Sequence, residues 1–174
     1  MEAENSRKTR LQAQVRALHS GNKRTILEAL ETIRQESEPF IIRELIDLLP
    51  EQVEPEISEG IFAILNDLKS QEAVPVLMEC IQDPEYAPLQ EKLLSACWQN
   101  GLNYGAYASV FAGLVTDAPY STAIEALTVL EECLGELDEV HKKELAARAE
   151  NKAVQADDSR SGLILSMVKM IRSY

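Results

Sequence analysis

Two histidines, three cysteines and a group of tyrosines are the side chains of this sequence whose chemistry could reach beyond packing. A histidine serves as a metal ligand or proton carrier when a second ligand or a carboxylate stands at helical spacing. His19 and His141 are far apart, and His141 has beside it only Glu139 and Glu144, the neighbours that any exposed charged helix supplies. Cys80, Cys97 and Cys133 are an odd set whose nearest pair, Cys80 and Cys97, stands 17 residues apart. That spacing points to neither a thiolate zinc knuckle nor a disulfide framework, so the three read as small core residues. The sequence has no glycine-rich phosphate loop and no Gly-x-Ser-x-Gly turn, so nucleotide and acyl-transfer chemistry lack their usual backbone supports. No catalytic residue, cofactor or metal site is expected.

The tyrosines are more informative. Six of the nine aromatic residues, Tyr86, Trp98, Tyr104, Tyr107, Phe111 and Tyr120, lie between residues 86 and 120, where charges are fewest. Aromatic side chains with one polar tip dominate binding hot spots, although core packing is their more frequent use. Phe111 and Trp98 are expected to be buried. Tyr104 and Tyr107 fall near the start of a helix whose other face is Ala106, Ser109, Gly113 and Thr116, small residues over which a partner helix or extended peptide could approach closely.

Net charge is −12, unevenly spread. Residues 1–24 carry six basic and two acidic side chains, residues 25–141 four and 23, and residues 142–174 seven and four, giving +4, −19 and +3. The acidic body repels phosphate backbones, so nucleic acid is a disfavoured ligand, and a basic protein partner is the better match. Arg7, Lys8, Arg10, Arg16, Lys23 and Arg24 form a basic N-terminal set without aromatic or glycine interleaving, as expected of a capping helix packed near acidic neighbours. The first twenty residues lack the apolar centre of a signal peptide. Residues 93–116 carry no formal charge, but Gln99-Asn100-Gly101-Leu102-Asn103 interrupts them, so they read as helix, turn and helix, with no membrane span and a cytoplasmic location by default.

The elements that position these residues follow from periodicity and punctuation. Leu, Ala, Glu, Ile and Gln fill the long segments, and strand-like alternation is absent, so the chain reads as all-α. The prolines, Pro39, Pro50, Pro55, Pro75, Pro84, Pro88 and Pro119, fall between apolar-periodic runs or in a first turn. Gly21, Gly101 and Gly135 stand where a left-handed C-terminal turn would close a helix. About ten helices are predicted, over residues 4–19, 22–35, 39–49, 54–69, 73–82, 87–100, 104–116, 120–135, 139–154 and 161–173. The apolar pattern closes on Leu49, returns on Ile81 after 32 residues, and returns on Leu114 after 33. Such a period marks stacked antiparallel helix pairs, each completing its neighbour's core in an α-solenoid.

Residues 72–101 carry the run Glu-Ala-Val-Pro-Val-Leu-Met-Glu-Cys-Ile-Gln-Asp-Pro and then Leu-Leu-Ser-Ala-Cys-Trp-Gln-Asn-Gly. This resembles HEAT repeats, in which a second helix opens Val-Pro-x-Leu, closes in an Asp-Pro turn and leads into the next unit, and it is similar to small bacterial HEAT-repeat proteins. The resemblance covers about residues 22–137. It implies a HEAT-like solenoid whose second helices line a concave surface that holds another macromolecule. The expected organisation is one domain over 1–174: a basic capping helix at 1–21, repeats at 22–137 and an irregular C-terminal cap at 138–174.

The expected function is a non-enzymatic protein-binding module. By alignment of the repeats, Arg43 and Asp47, then Glu79 and Gln82, then Tyr104 and Tyr107 should form one strip along successive second helices. A helical-repeat enzyme or enzyme subunit, of modification or lyase type, is the alternative. Nucleic-acid binding through the basic termini is third.

Overall fold

The computed structural model describes residues 2–36, 41–51 and 54–174, with the side chains of residues 2–5, 7, 36 and 51 outside that description. The Pro39 turn, the start of the helix expected from residue 39 and the Arg7 side chain therefore lie outside the described residues. Ten α-helices and no strand are present among the described residues. They are α1 (Glu2–Leu18), α2 (Lys23–Glu36), α3 (Ile42–Leu48), α4 (Pro55–Asn66), α5 (Ala73–Gln82), α6 (Gln90–Asn100), α7 (Ala108–Asp117), α8 (Tyr120–Cys133), α9 (Glu139–Ala153) and α10 (Asp158–Ser173). None of the described helices is long and apolar enough to cross a membrane.

Most helix boundaries follow the expected punctuation. Pro55 is the first residue of α4, and Pro119 immediately precedes α8. Gly21 and Gly101 adopt φ of +67° and +65°, the left-handed turn that residues with a Cβ resist. Gly135 differs: it sits in a short 3-10 turn, Leu134–Glu136, and only Gly21 and Gly101 have positive φ among the described glycines. α7 begins later than expected because Asn103 Oδ1 accepts from the Gly105 N–H at 2.8 Å, diverting the chain through a 3-10 turn over Gly105–Tyr107.

Two compact units divide the chain between Ala87 and Pro88. In the first, α1 packs on α2 and α3, α2 packs on α4, and α3 packs on α5. The core comes from apolar stripes at helical spacing: Ile26, Leu30 and Ile33 of α2 with Ile57, Ile61 and Leu65 of α4, and Leu45 of α3 with Leu77, Met78 and Ile81 of α5. Ion pairs mark the register of α2 on α4. Lys23 at the start of α2 reaches Glu56 at 2.8 Å, Arg34 near its end reaches Asp67, and both pairs join residues 33 apart. Starts meet starts and ends meet ends, so the two helices run in the same direction.

The second unit has its own set of neighbours. α6 packs on α8, α7 packs on α8 and α9, and α10 packs on α7, α8 and α9. Glu91 near the start of α6 accepts from Ser121 near the start of α8 at 2.6 Å, and Asp117 at the end of α7 pairs with Lys152 near the end of α9 at 3.3 Å. Here the inward faces depart from expectation. Leu114, on which the apolar pattern returns, is only half-buried beside a buried Val115, and Ile124 of α8 and Val140 of α9 are 38% and 64% exposed. α8 instead turns Ala123, Ala126 and Val129 inward. Because α8 is packed by both α6 and α7, small side chains let the helix axes approach, and the larger Ile124 is turned outward.

Candidate functional site

α3 and α5 place four of the six expected binding residues in the first unit. Burial of Ile42, Leu45, Ile46 and Leu48 leaves the i, i+4 pair Arg43 and Asp47 on the outer side of α3. Burial of Leu77, Met78, Cys80 and Ile81 likewise leaves Glu79 and Gln82 on the outer side of α5. The Arg43 guanidinium lies 3.7 Å from Glu79 and 3.8 Å from Asp83, and its carbon stands 5.8 Å from the centre of the Tyr86 ring. Tyr86 in turn donates its hydroxyl hydrogen to Asp47. Gln82 is not part of this network, since its amide donates to Met78 O of its own helix at 2.9 Å.

Tyr86 and Asp83 enter the site through a local turn. α5 stops at Asp83-Pro84 because proline cannot supply the next helical N–H. Asp83 Oδ1 then accepts from the Glu85 N–H at 3.0 Å and its carbonyl from the Tyr86 N–H at 3.1 Å. The chain is thereby folded so that the buried Tyr86 ring lies against α3. The bond to Asp47, and then burial, push the Tyr86 phenol up to about 12.

One cation among three carboxylates leaves the cluster with a surplus of two negative charges. Arg43, Glu79 and Asp83 are each more than a third exposed, and exposed ion pairs of this length contribute about 0–1 kcal/mol. Arg43 can therefore exchange its carboxylates for those of a partner, or yield them to a partner's cation, at small cost. No protein-family model, curated protein or solved structure matches this chain. The arrangement of its own side chains therefore carries the functional argument.

The remaining two expected binding residues, Tyr104 and Tyr107, belong to the second unit, and one of them is a correction. Tyr104 is 3% exposed, edge-on to Phe111 with ring centres 6.2 Å apart, and its hydroxyl lies 3.1 Å from the Asn100 amide nitrogen. It is a core residue. The 3-10 turn that delays α7 swings it inward, and burial raises its phenol pKa. Tyr107 is half-buried at the end of that turn. Trp98 is the opposite correction: expected in the core, it is 41% exposed, with its indole N–H donating to Glu125 at 2.8 Å.

Cys80, Cys97 and Cys133 are buried, as expected of small core residues. Burial pushes their thiols up to about 11, 12 and 12 respectively, so they stay protonated and poorly nucleophilic near neutral pH. Cys97, Cys133 and Tyr104 line a recess of about 150 Å³ rimmed by Trp98, Glu132 and Glu136. Both histidines are exposed. His19 lies 3.3 Å from Glu44 and His141 2.8 Å from Asp138, the residue that caps the start of α9. No group of three or more His, Cys, Asp or Glu side chains suited to a metal ion occurs among the described residues.

Proposed function

We propose that this chain is a non-enzymatic, cytoplasmic protein-binding module, built as a short HEAT-type solenoid, that receives a basic segment of a partner on the outer side of α3 and α5. The observation that carries the reading is the Arg43–Asp47–Glu79–Asp83 cluster, in which α3 and the end of α5 display surplus carboxylates, Asp47 held by Tyr86 and the other two beside Arg43. The packing of α2 on α4 and of α3 on α5, with ion pairs at a separation of 33 residues, supports the repeat interpretation. A solenoid needs no catalytic group, because its work is to present an extended surface.

Complementary charge acts mainly on encounter rate and specificity. The test is capture of partners from the native cell with the wild-type chain and with an Asp47→Lys, Glu79→Lys double variant. The reading expects a protein with a basic segment to co-purify with the wild type at low salt, and to be lost from the variant although the variant stays folded. Equal capture by both proteins rejects the α3/α5 surface. A captured enzymatic activity that needs none of these residues rejects the module itself.

A further inference from the structure

A second surface lies wholly within the second unit, in a furrow between α7 and α9. Ser109, Gly113 and Thr116 recur along α7 at helical spacing, and their small side chains keep the furrow open. A Cβ built on Gly113 meets nothing within 4 Å, so the space above the α7 backbone is free. The floor is apolar, formed by Ala112, Leu145, Ala149 and Met167, all buried, and the furrow encloses about 180 Å³. Pockets that take drug-sized molecules usually run from about 300 to 1,000 Å³. The smaller, open-sided volume suits one large apolar side chain of a helix laid along it.

The rim selects the charge of that helix. Arg148 and Lys152 stand one turn apart on α9, both exposed. Lys152 pairs with Asp117 at 3.3 Å, whereas Arg148 makes no ion pair among the described residues. The carbonyl ends of α7 would ordinarily add negative potential here. Arg160 cancels it by donating to Val115 O at 2.9 Å and Ala118 O at 2.6 Å. Arg148 and Lys152 outnumber Asp117 on this rim, so the furrow edge carries a net charge of +1 on a chain of net charge −12.

We propose that the α7/α9 furrow binds an acidic amphipathic helix of a partner protein, its apolar anchor seated over Gly113 on Leu145 and Met167 and its carboxylates on Arg148 and Lys152. The inference rests on the reading of the chain as a protein-binding module, but uses a different surface from the α3/α5 cluster.

The experiment pans a displayed library of helix-forming peptides against the immobilised full chain, then measures the enriched peptides by fluorescence polarisation on variants. Gly113→Leu projects a side chain into the furrow from a Cβ position that meets nothing within 4 Å, and replaces glycine with a better helix former. Arg148→Glu reverses the unpaired rim charge. Enriched peptides should carry Leu, Ile, Phe or Met at helical spacing flanked by Asp or Glu, and should lose about tenfold or more in affinity on either variant. Absence of acidic peptides from the enriched pool, or acidic peptides whose binding is unchanged by Gly113→Leu, overturns the proposal. Self-association of the chain that Gly113→Leu abolishes would make the occupant a second copy and overturn it too. Peptides indifferent to Gly113→Leu but lost on Asp47→Lys, Glu79→Lys reject the furrow while leaving the α3/α5 reading intact. The reverse pattern supports the furrow and leaves the α3/α5 surface to its own capture experiment.

Discussion

The Tyr86 hydroxyl donates to Asp47, fastening the turn after α5 onto the outer side of α3. This bond joins a buried ring to an exposed carboxylate, so it both fixes the turn and orients an acid that faces solvent. It also explains why Arg43 lies against Tyr86: the ring face and the Asp47 charge both attract a guanidinium.

Tyr86→Phe keeps the ring and deletes the hydroxyl, and should cost about 0.5–1.5 kcal/mol in urea unfolding, since Asp47 is free to rehydrate. The folded-state phenol pKa is raised from 10.0 to about 12, so the bond's stabilisation is fully present below about pH 10 and lost as pH climbs towards 12. In an ultraviolet titration of the phenolate band, Tyr86 and the buried Tyr104 should ionise late, above the usual phenol value of 10.0. A Tyr86→Phe protein that loses no late-ionising group would contradict the assignment.

Tyr104 supplies a contrasting prediction, because its hydroxyl points inward. Tyr104→Ala should destabilise the second unit by about 3–5 kcal/mol, the usual cost of truncating a buried aromatic ring. Tyr104→Phe leaves the buried Asn100 amide without the hydroxyl and should cost about 1–2 kcal/mol. Thermal and urea unfolding monitored by circular dichroism separate the two. Near-wild-type stability of the alanine variant would restore Tyr104 to the surface.

The sequence made the helices legible and their rotations less so. Proline and glycine marked ends that local sterics enforce, and the 73–82 helix appears with those limits. The charged residues Arg43, Asp47 and Glu79 were legible as surface because the buried Ile and Leu stripes around them are unambiguous. The 3-10 turns were not, since Asn103 and Asp83 act through side chains that capture backbone N–H groups, a choice that apolar periodicity does not register. That is why Tyr86 entered the site unannounced and Tyr104 left it. Trp98 was misassigned for a different reason: it stands on α6 beside α8, where close approach of the helices favours alanine over larger apolar residues at the contact.

Trp98 is the sole tryptophan and is partly exposed, so its fluorescence reports on the α6–α8 surface. Its emission should be red-shifted relative to a buried indole and readily quenched by acrylamide. Glu125→Gln retains an acceptor for the indole N–H and should leave the emission nearly unchanged, whereas Glu125→Leu removes it and should alter the quenching. An emission typical of an apolar interior would place the ring in the core after all.

The last helix packs on three others of the second unit. Asp157 caps α10 by accepting from the Arg160 N–H at 2.9 Å, and the Arg160 side chain then grips the carbonyls of Val115 and Ala118. Behind that anchor, Leu163, Ile164, Met167, Val168 and Ile171 are buried. At about 1.5–3 kcal/mol per fully buried apolar side chain, these five contribute about 7–15 kcal/mol as an upper estimate, comparable with the whole stability of a typical domain. A chain ending at Asp157 should therefore lose the cooperative transition of the second unit, bind hydrophobic dyes and self-associate on gel filtration. Arg160→Met is the milder probe: it keeps an apolar stem, removes both carbonyl bonds, and should cost about 1–2 kcal/mol without unfolding the unit. A truncated chain that remains monomeric with an unchanged melt would show that α10 is not what completes this core.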